Sequence, residues 1–231
     1  MSKQTIIWKG FLRTLPFQGG VIPFGILYAT IATSVGFPWW LVQLFSVIVY
    51  GGSSQLVFID LYSHAGSVFQ AVLGSNIVNA RHFIYSAGVS RQFSDFPKKW
   101  RIILSYWLTD QLYAISISRR EEINAILPGL RQWYFLGSAI GTWFFWFGSS
   151  FVGIFFGQLI PPSWNLSFAI PLMFMPLVIS VCKSKFAIVT VVLSALFVII
   201  FHQLPLGLGV VAAILLSSFF GYLIQKFWEK E

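Results

Sequence analysis

WYFLGSAIGTWFFWFGSSFVGIFFG, residues 133–157, runs for twenty-five residues without a charged side chain. A helix needs only about 20 such residues to cross the hydrocarbon core of a bilayer. Working outward from it, further apolar elements fall at 18–36, 40–60, 67–89, 102–118, 166–182, 184–202 and 206–225, joined by connections too short to hold a soluble domain. The chain therefore reads as an all-α polytopic membrane protein with about eight transmembrane elements, residues 1–231 forming a single integral membrane domain. Composition demands the same class. The 231 residues are 57% apolar and 10% charged and include 25 Phe and 10 Trp, with positive mean hydropathy. A soluble domain of this length cannot hide that much apolar surface from water.

The net charge of +8 does not point to nucleic acid, because the cations fall in short stretches between apolar runs and form no dense patch. That is the pattern of loop charges facing the cytoplasm. With eight simple crossings and a cytoplasmic N-terminus, Lys3, Lys9, Arg13, Arg119, Arg120, Arg131, Lys183, Lys185, Lys226 and Lys230 lie inside. Arg91, Lys98, Lys99 and Arg101 then lie outside, in the dissenting stretch SRQFSDFPKKWR. If 40–60 and 102–118 are re-entrant, all fourteen face one side. Under either scheme those two elements are expected to be broken helices, near 51–55 at GGSSQ and at Thr109-Asp110-Gln111. The first 17 residues carry no small-residue cleavage pattern, so no removable signal peptide is expected. Trp39, Trp40, Trp100, Trp133, Trp164 and Trp228 fall near element ends, where indole rings favour the headgroup level. An Ile-Pro pair recurs early in two elements, at 22–23 and 170–171. As first and sixth spans these would be antiparallel, the arrangement of an inverted repeat.

Polar residues at membrane depth carry the functional signal. VNARHFIY, residues 78–85, places Arg81 beside His82 inside the third element. A lone cation there costs about 2.5–3.5 kcal/mol on insertion scales, so it should face protein or water and have a partner. On one continuous helix Asn76, Asn79 and His82 share a polar face, with Arg81 and Tyr85 on its flank. Such a face either lines a cavity for a polar solute or holds helices together. Asp110 is the expected counter-charge of Arg81, as a structural staple or as a solute and proton site. His82 is the other proton candidate, imidazole being the side chain that titrates nearest neutrality. In YGGSSQ, Gly51 and Gly52 either let helices approach or let this one unwind. A helix restarting at Ser53 would aim the amides of Ser53, Ser54 and Gln55 at the cavity, a site for a carboxylate.

Other classes find little support. No Walker-type loop is present, so ATP-driven transport by this chain alone is not expected. His64, His82 and His202 lack zinc spacing, and the single Cys182 allows neither a disulfide nor a multi-cysteine site, so no metal or cofactor is expected. GGSSQ lacks a nucleophile elbow, and the chain does not read as an enzyme.

YGGSSQLVFIDL (50–61), NIVNARHFIYS (76–86), YWLTDQLYAIS (106–116) and LSFAIPLMFMPLV (166–178) resemble the AzlC/YgaZ family, over nearly the whole chain and in the same order. The Asn-x-Arg-His and Thr-Asp motifs are its most specific elements. The resemblance implies the large subunit of a bacterial branched-chain amino-acid exporter, acting by secondary transport in the inner membrane. It also implies a small membrane subunit of the AzlD/YgaH type. Two positions depart from the family pattern: Gln111 stands where an acid is usual, and Leu166-Ser167 where Leu-Asp is common. The combined expectation is that Gly51, Gly52, Ser53, Ser54, Gln55, Asn76, Asn79, Arg81 and Tyr85 bind substrate. His82, Thr109, Asp110 and Gln111 form the proton or charge-pair set. A non-transporting scaffold subunit and a channel-like pore are the alternatives.

Overall fold

The computed structural model describes residues 2–65, 67–159, 184–203 and 208–228, together with 161, 178, 179 and 182. The described residues are helical, with no strands among them. They fall into two compact units, Met1–Leu177 and Val178–Glu231.

The first unit opens earlier than expected. α1 (Lys3–Leu12) is capped by Ser2, whose hydroxyl accepts from Thr5 N at 3.2 Å. It runs through a 3₁₀ turn at Leu15–Phe17 into α2 (Gln18–Ser34). The seventeen N-terminal residues, which precede the first expected element at 18–36, are thus helical in part and extend it back to Lys3. α3 (Trp39–Ile48) and α4 (Gly52–Ala65) are the two halves of the second element, and α5 (Val68–Asn79) and α6 (Arg81–Phe93) those of the third. α7 (Lys98–Tyr106) and α8 (Asp110–Ser118) divide the fourth, and a short α9 (Arg120–Asn124) follows. α10 (Arg131–Phe156) is the unbroken run with which the sequence reading began.

Only the helical runs Lys3–Ser34 and Pro128–Leu159 are long and apolar enough among the described residues to cross a membrane alone. At about 1.5 Å per residue, the 9- to 14-residue pieces fall well short of a hydrocarbon core of about 30 Å. Each broken pair must therefore span jointly or turn back. The sixth expected element, 166–182, lies outside the described residues except for 178, 179 and 182, and the Ile-Pro pair at 170–171 lies outside them altogether.

α10 is the axis on which α1 and α2 pack. Small residues line the seam: Gly10 of α1 against Tyr134 and Ser138 of α10, Gly137 of α10 against Ile7 of α1, then Ser149 and Gly153 against Gly25 and Ala29 of α2. Close backbone approach of this kind replaces the hydrophobic drive that lipid cannot supply. Phe24 and Tyr28 of α2 meet Trp146 of α10 at centroid distances of 5.8 and 5.7 Å. Trp39 and Trp40 are exposed, as anchors at a span end should be.

The described residues of the second unit include the helices α11 (Lys185–Phe201), capped by Ser184, and α12 (Leu208–Trp228). They pack together with Thr190 against Gly221 and Phe197 against Phe220 at 5.9 Å.

Candidate functional site

Three helix breaks converge on one cavity. The first, at 49–51, places Tyr50 at φ 45°, a left-handed conformation that a bulky residue adopts only where packing holds it. The packing is evident: Tyr50 is buried and stacks on Tyr106, centroids 5.9 Å apart. Tyr106 sits at the end of α7, and its hydroxyl donates to Val47 O, one of the carbonyls left without an intrahelical partner where α3 ends. Each of two breaks thus supports the other. α4 restarts at Gly52, one residue before the expected Ser53, with Gly51 O accepting from Gln55 N at 2.9 Å and Ser54 Oγ at 2.7 Å.

The second break, at 107–109, was expected at 109–111; Asp110 and Gln111 instead begin α8, with Thr109 as its N-cap. The third, at Ala80, was not anticipated. α5 ends at Asn79 and α6 begins at Arg81, so Asn76, Asn79 and His82 do not share one continuous helical face. His82 Nδ1 lies 2.9 Å from Asn79 O. A carbonyl can only accept, so Nδ1 carries the proton.

The outcome is that the N-termini of α4, α6 and α8 meet. Their first-turn residues line a cavity of about 30 Å³: Gly51 and Gly52, Arg81 and His82, Thr109, Asp110 and Gln111. Val21 of α2, Tyr50, and Thr142 and Trp146 of α10 complete the walls. The volume accepts about one or two waters. At its edge, Arg81 Nη2 pairs with Asp110 Oδ2 at 3.1 Å and donates to Ser53 Oγ at 2.7 Å. Asp110 Oδ1 accepts from Tyr85 Oη at 2.6 Å, and the Tyr85 ring stacks on Tyr113, centroids 4.6 Å apart. The Asp110 side chain is 9% exposed and that of Arg81 22%, so the pair is largely desolvated.

The electrostatic logic is consistent. A helix N-terminus carries a partial positive charge that stabilises an anion and disfavours a cation. Asp110 at the head of α8 is therefore well placed and Arg81 at the head of α6 is not, and the ion pair offsets that cost. Tyr50 Oη, Thr109 Oγ1 and Trp146 Nε1 are buried with no hydrogen-bond partner among the described residues. Buried polar groups are normally satisfied, so a polar occupant of the cavity is their available partner.

The remaining expected residues fall nearby or apart. Ser54 O accepts from Ser75 Oγ at 3.0 Å, tying α4 to α5, and Gln55 is fully buried beside Tyr28. Asn76 is not brought to this cavity: its amide donates to Val72 O at 2.8 Å, and with Asn79 it lines a second one. Sequence reasoning missed Val21, Tyr50, Thr142 and Trp146 as wall residues. Trp146 carried a signal, standing mid-element where anchoring at the headgroup level cannot explain it.

Comparison with known proteins places this architecture. The family model described as AzlC protein matches residues 16–160. The chain belongs to the AzlC family. That match covers all three breaks and the ion pair. An uncharacterized membrane protein of Archaeoglobus fulgidus is 27% identical over 221 residues, 93% of this chain and 94% of its own. The inner membrane protein YgaZ of Escherichia coli K12 is 24% identical, covering 96% of this chain and 91% of its own. The branched-chain amino acid transport protein AzlC of Bacillus subtilis is 23% identical over 164 residues, 69% of this chain and 63% of its own. No solved structure matches the chain. Like the relatives named as membrane proteins, it is a membrane protein, and its described residues carry helices and no strands.

Proposed function

We propose that this AzlC-family protein is a secondary transporter that exports branched-chain and related apolar amino acids across the inner membrane. It does so as the large subunit of a pair with a small AzlD/YgaH-type membrane protein. On this reading residues 1–231 form one integral transport domain with a cytoplasmic N-terminus, and no enzymatic step is involved. The observation that carries the reading is the Arg81–Asp110 pair at the junction of three helix N-termini.

A zwitterion fits that pair charge for charge. Its carboxylate replaces Asp110 on Arg81 and on the free amides at Gly51-Gly52-Ser53, and its ammonium replaces Arg81 on Asp110. In the empty protein the two side chains close on each other, so no isolated charge is exposed at membrane depth in either condition. This matters because a carrier must return without its cargo. The cavity of about 30 Å³ must widen for an amino acid, and the breaks at 49–51, 80 and 107–109 are where the half-helices would move. Tyr85, held on Asp110, orients the carboxylate. His82, with its proton fixed on Nδ1, leaves Nε2 as the atom that would exchange a coupling proton, with Asp110 as the second group. The names of the Bacillus subtilis and Escherichia coli relatives support the substrate class and the membrane.

The test is efflux of valine, leucine, isoleucine and methionine from cells loaded with dipeptides, with and without the small subunit. Arg81→Lys and Asp110→Asn, at wild-type protein levels, should each lower efflux at least about tenfold, the equivalent of one charge-assisted hydrogen bond. Undiminished export by both variants would refute the assignment.

A further inference from the structure

A second cavity lies beside the ion-pair site, with about ten times its volume. It measures about 330 Å³ and is walled by Phe45 and Ile48 of α3, Val49 of the first break, Phe58 of α4 and Val72 of α5, with Ser75, Asn76 and Asn79 at one end. Two of the three polar residues at that end have their donors engaged: Ser75 Oγ donates to Ser54 O at 3.0 Å and the Asn76 amide to Val72 O at 2.8 Å. Asn79 Oδ1 is different, being buried without a hydrogen-bond partner among the described residues. It also marks where the two cavities meet. A Cβ on Gly51, which lines the smaller cavity, would come within 3.0 Å of Asn79 Oδ1 and 2.7 Å of Ser54 Oγ. The partition there is a glycine without a side chain, backed by an amide oxygen in need of a donor. Arg81 follows Asn79 by two residues across the Ala80 break.

The geometry points to a divided amino-acid site: the Arg81–Asp110 cavity takes the charged head, the 330 Å³ cavity takes the side chain, and Asn79 Oδ1 receives an ammonium N–H where the two meet. This inference rests on the transport reading above and adds to it the element that selects the cargo. An apolar pocket distinguishes ligands by about 10- to 200-fold per methylene gained or lost, enough to rank solutes by size. The walls favour aliphatic and thioether side chains. Small amino acids gain little from the larger cavity, and Phe58 limits how deep a broad aromatic ring can sit in it.

The experiment is export by the full chain with its small subunit, measured for alanine, valine, leucine, methionine and phenylalanine. Val72→Phe narrows the side-chain cavity, Phe58→Ala widens it and Asn79→Leu removes the acceptor. Val72→Phe should lower leucine and methionine at least tenfold while alanine changes less than threefold. Phe58→Ala, which keeps the inference testable if the narrowed variant misfolds, should raise phenylalanine export relative to leucine at least threefold. Asn79→Leu should lower every substrate, with recovery in Asn79→Asp. If wild type exports these amino acids but the narrowed and widened variants keep its rank order, the divided site is overturned and the transport reading stands. If wild type exports none of them, both fall.

Discussion

Arg81 and Asp110 stand in different apolar elements, and either alone would be a charge stranded at membrane depth. The energetics of such pairs are asymmetric: breaking one by removing a single partner costs about 3–5 kcal/mol, while replacing both together is far milder. Arg81→Ala and Asp110→Ala should therefore each lower the thermal unfolding midpoint in detergent. The double variant should be more stable than either, by about 2 kcal/mol on the same argument, while still failing to transport. Additive losses would show that the pair is not coupled in the folded protein. The same asymmetry explains what could be read at this scale. A buried cation implies a counter-ion, and Asp110 is the one acid well inside the expected apolar elements, Asp60 standing at the very end of the second. Trp146, Thr142 and Val21 carry no such cost and belong to helices far away in sequence. Only the packing of α2 and α10 onto the breaks reveals them as walls.

At the scale of elements, two of three breaks were legible because glycine, serine and a Thr-Asp pair interrupt apolar runs, as helix punctuation does. The third, at Ala80, has no glycine or proline, and its cause is tertiary: Ser75 is tied to Ser54, and Arg81 is drawn to Ser53 and Asp110. A second element-level device joins α1 to α9. Glu122 lies 3.2 Å from Lys9 Nζ and 3.1 Å from Arg13 Nη2, its side chain 17% exposed. Burial alone would raise the Glu122 carboxyl, but hydrogen bonds and charge from Arg13 and Lys9 outweigh it and hold it below its ordinary value of 4.5. A carboxylate lowered in the folded state contributes stability that is fully present above its unfolded value and disappears as pH falls through the folded one. Glu122→Gln should therefore cost about 1 kcal/mol at pH 7. The gap from wild type should shrink below pH 4.5 as the wild-type carboxyl takes up its proton. A gap that stays constant from pH 7 to pH 3 would remove the clamp from the account.

At the scale of the whole molecule, everything that breaks is set against something that does not. α10 runs 26 residues without interruption, and α1 and α2 lie along it. This unbroken part thereby presents Val21, Thr142 and Trp146 to the three helix starts. If α10 is the frame, its close seams should be intolerant while its open face is not. A Cβ on Gly137 would fall 2.7 Å from Ile7 C and 2.9 Å from Ile7 Cα, backbone atoms that cannot move aside without shifting α1. Gly148, on the same helix, has nothing within 4 Å. Gly137→Ala should thus destabilise by about 1–3 kcal/mol through forced separation of α1 and α10. Gly148→Ala should instead be neutral or stabilise by about 0.5–1 kcal/mol, because alanine restricts the unfolded chain and suits a helix better. Thermal unfolding followed by tryptophan fluorescence separates the two, since both changes add one methyl to the same helix. Equal behaviour of the two variants would mean that α10 is not held by its glycine seam. Transport lost in Gly137→Ala at a temperature where the protein is still folded would show that seating α1 on α10 also positions the walls around Arg81.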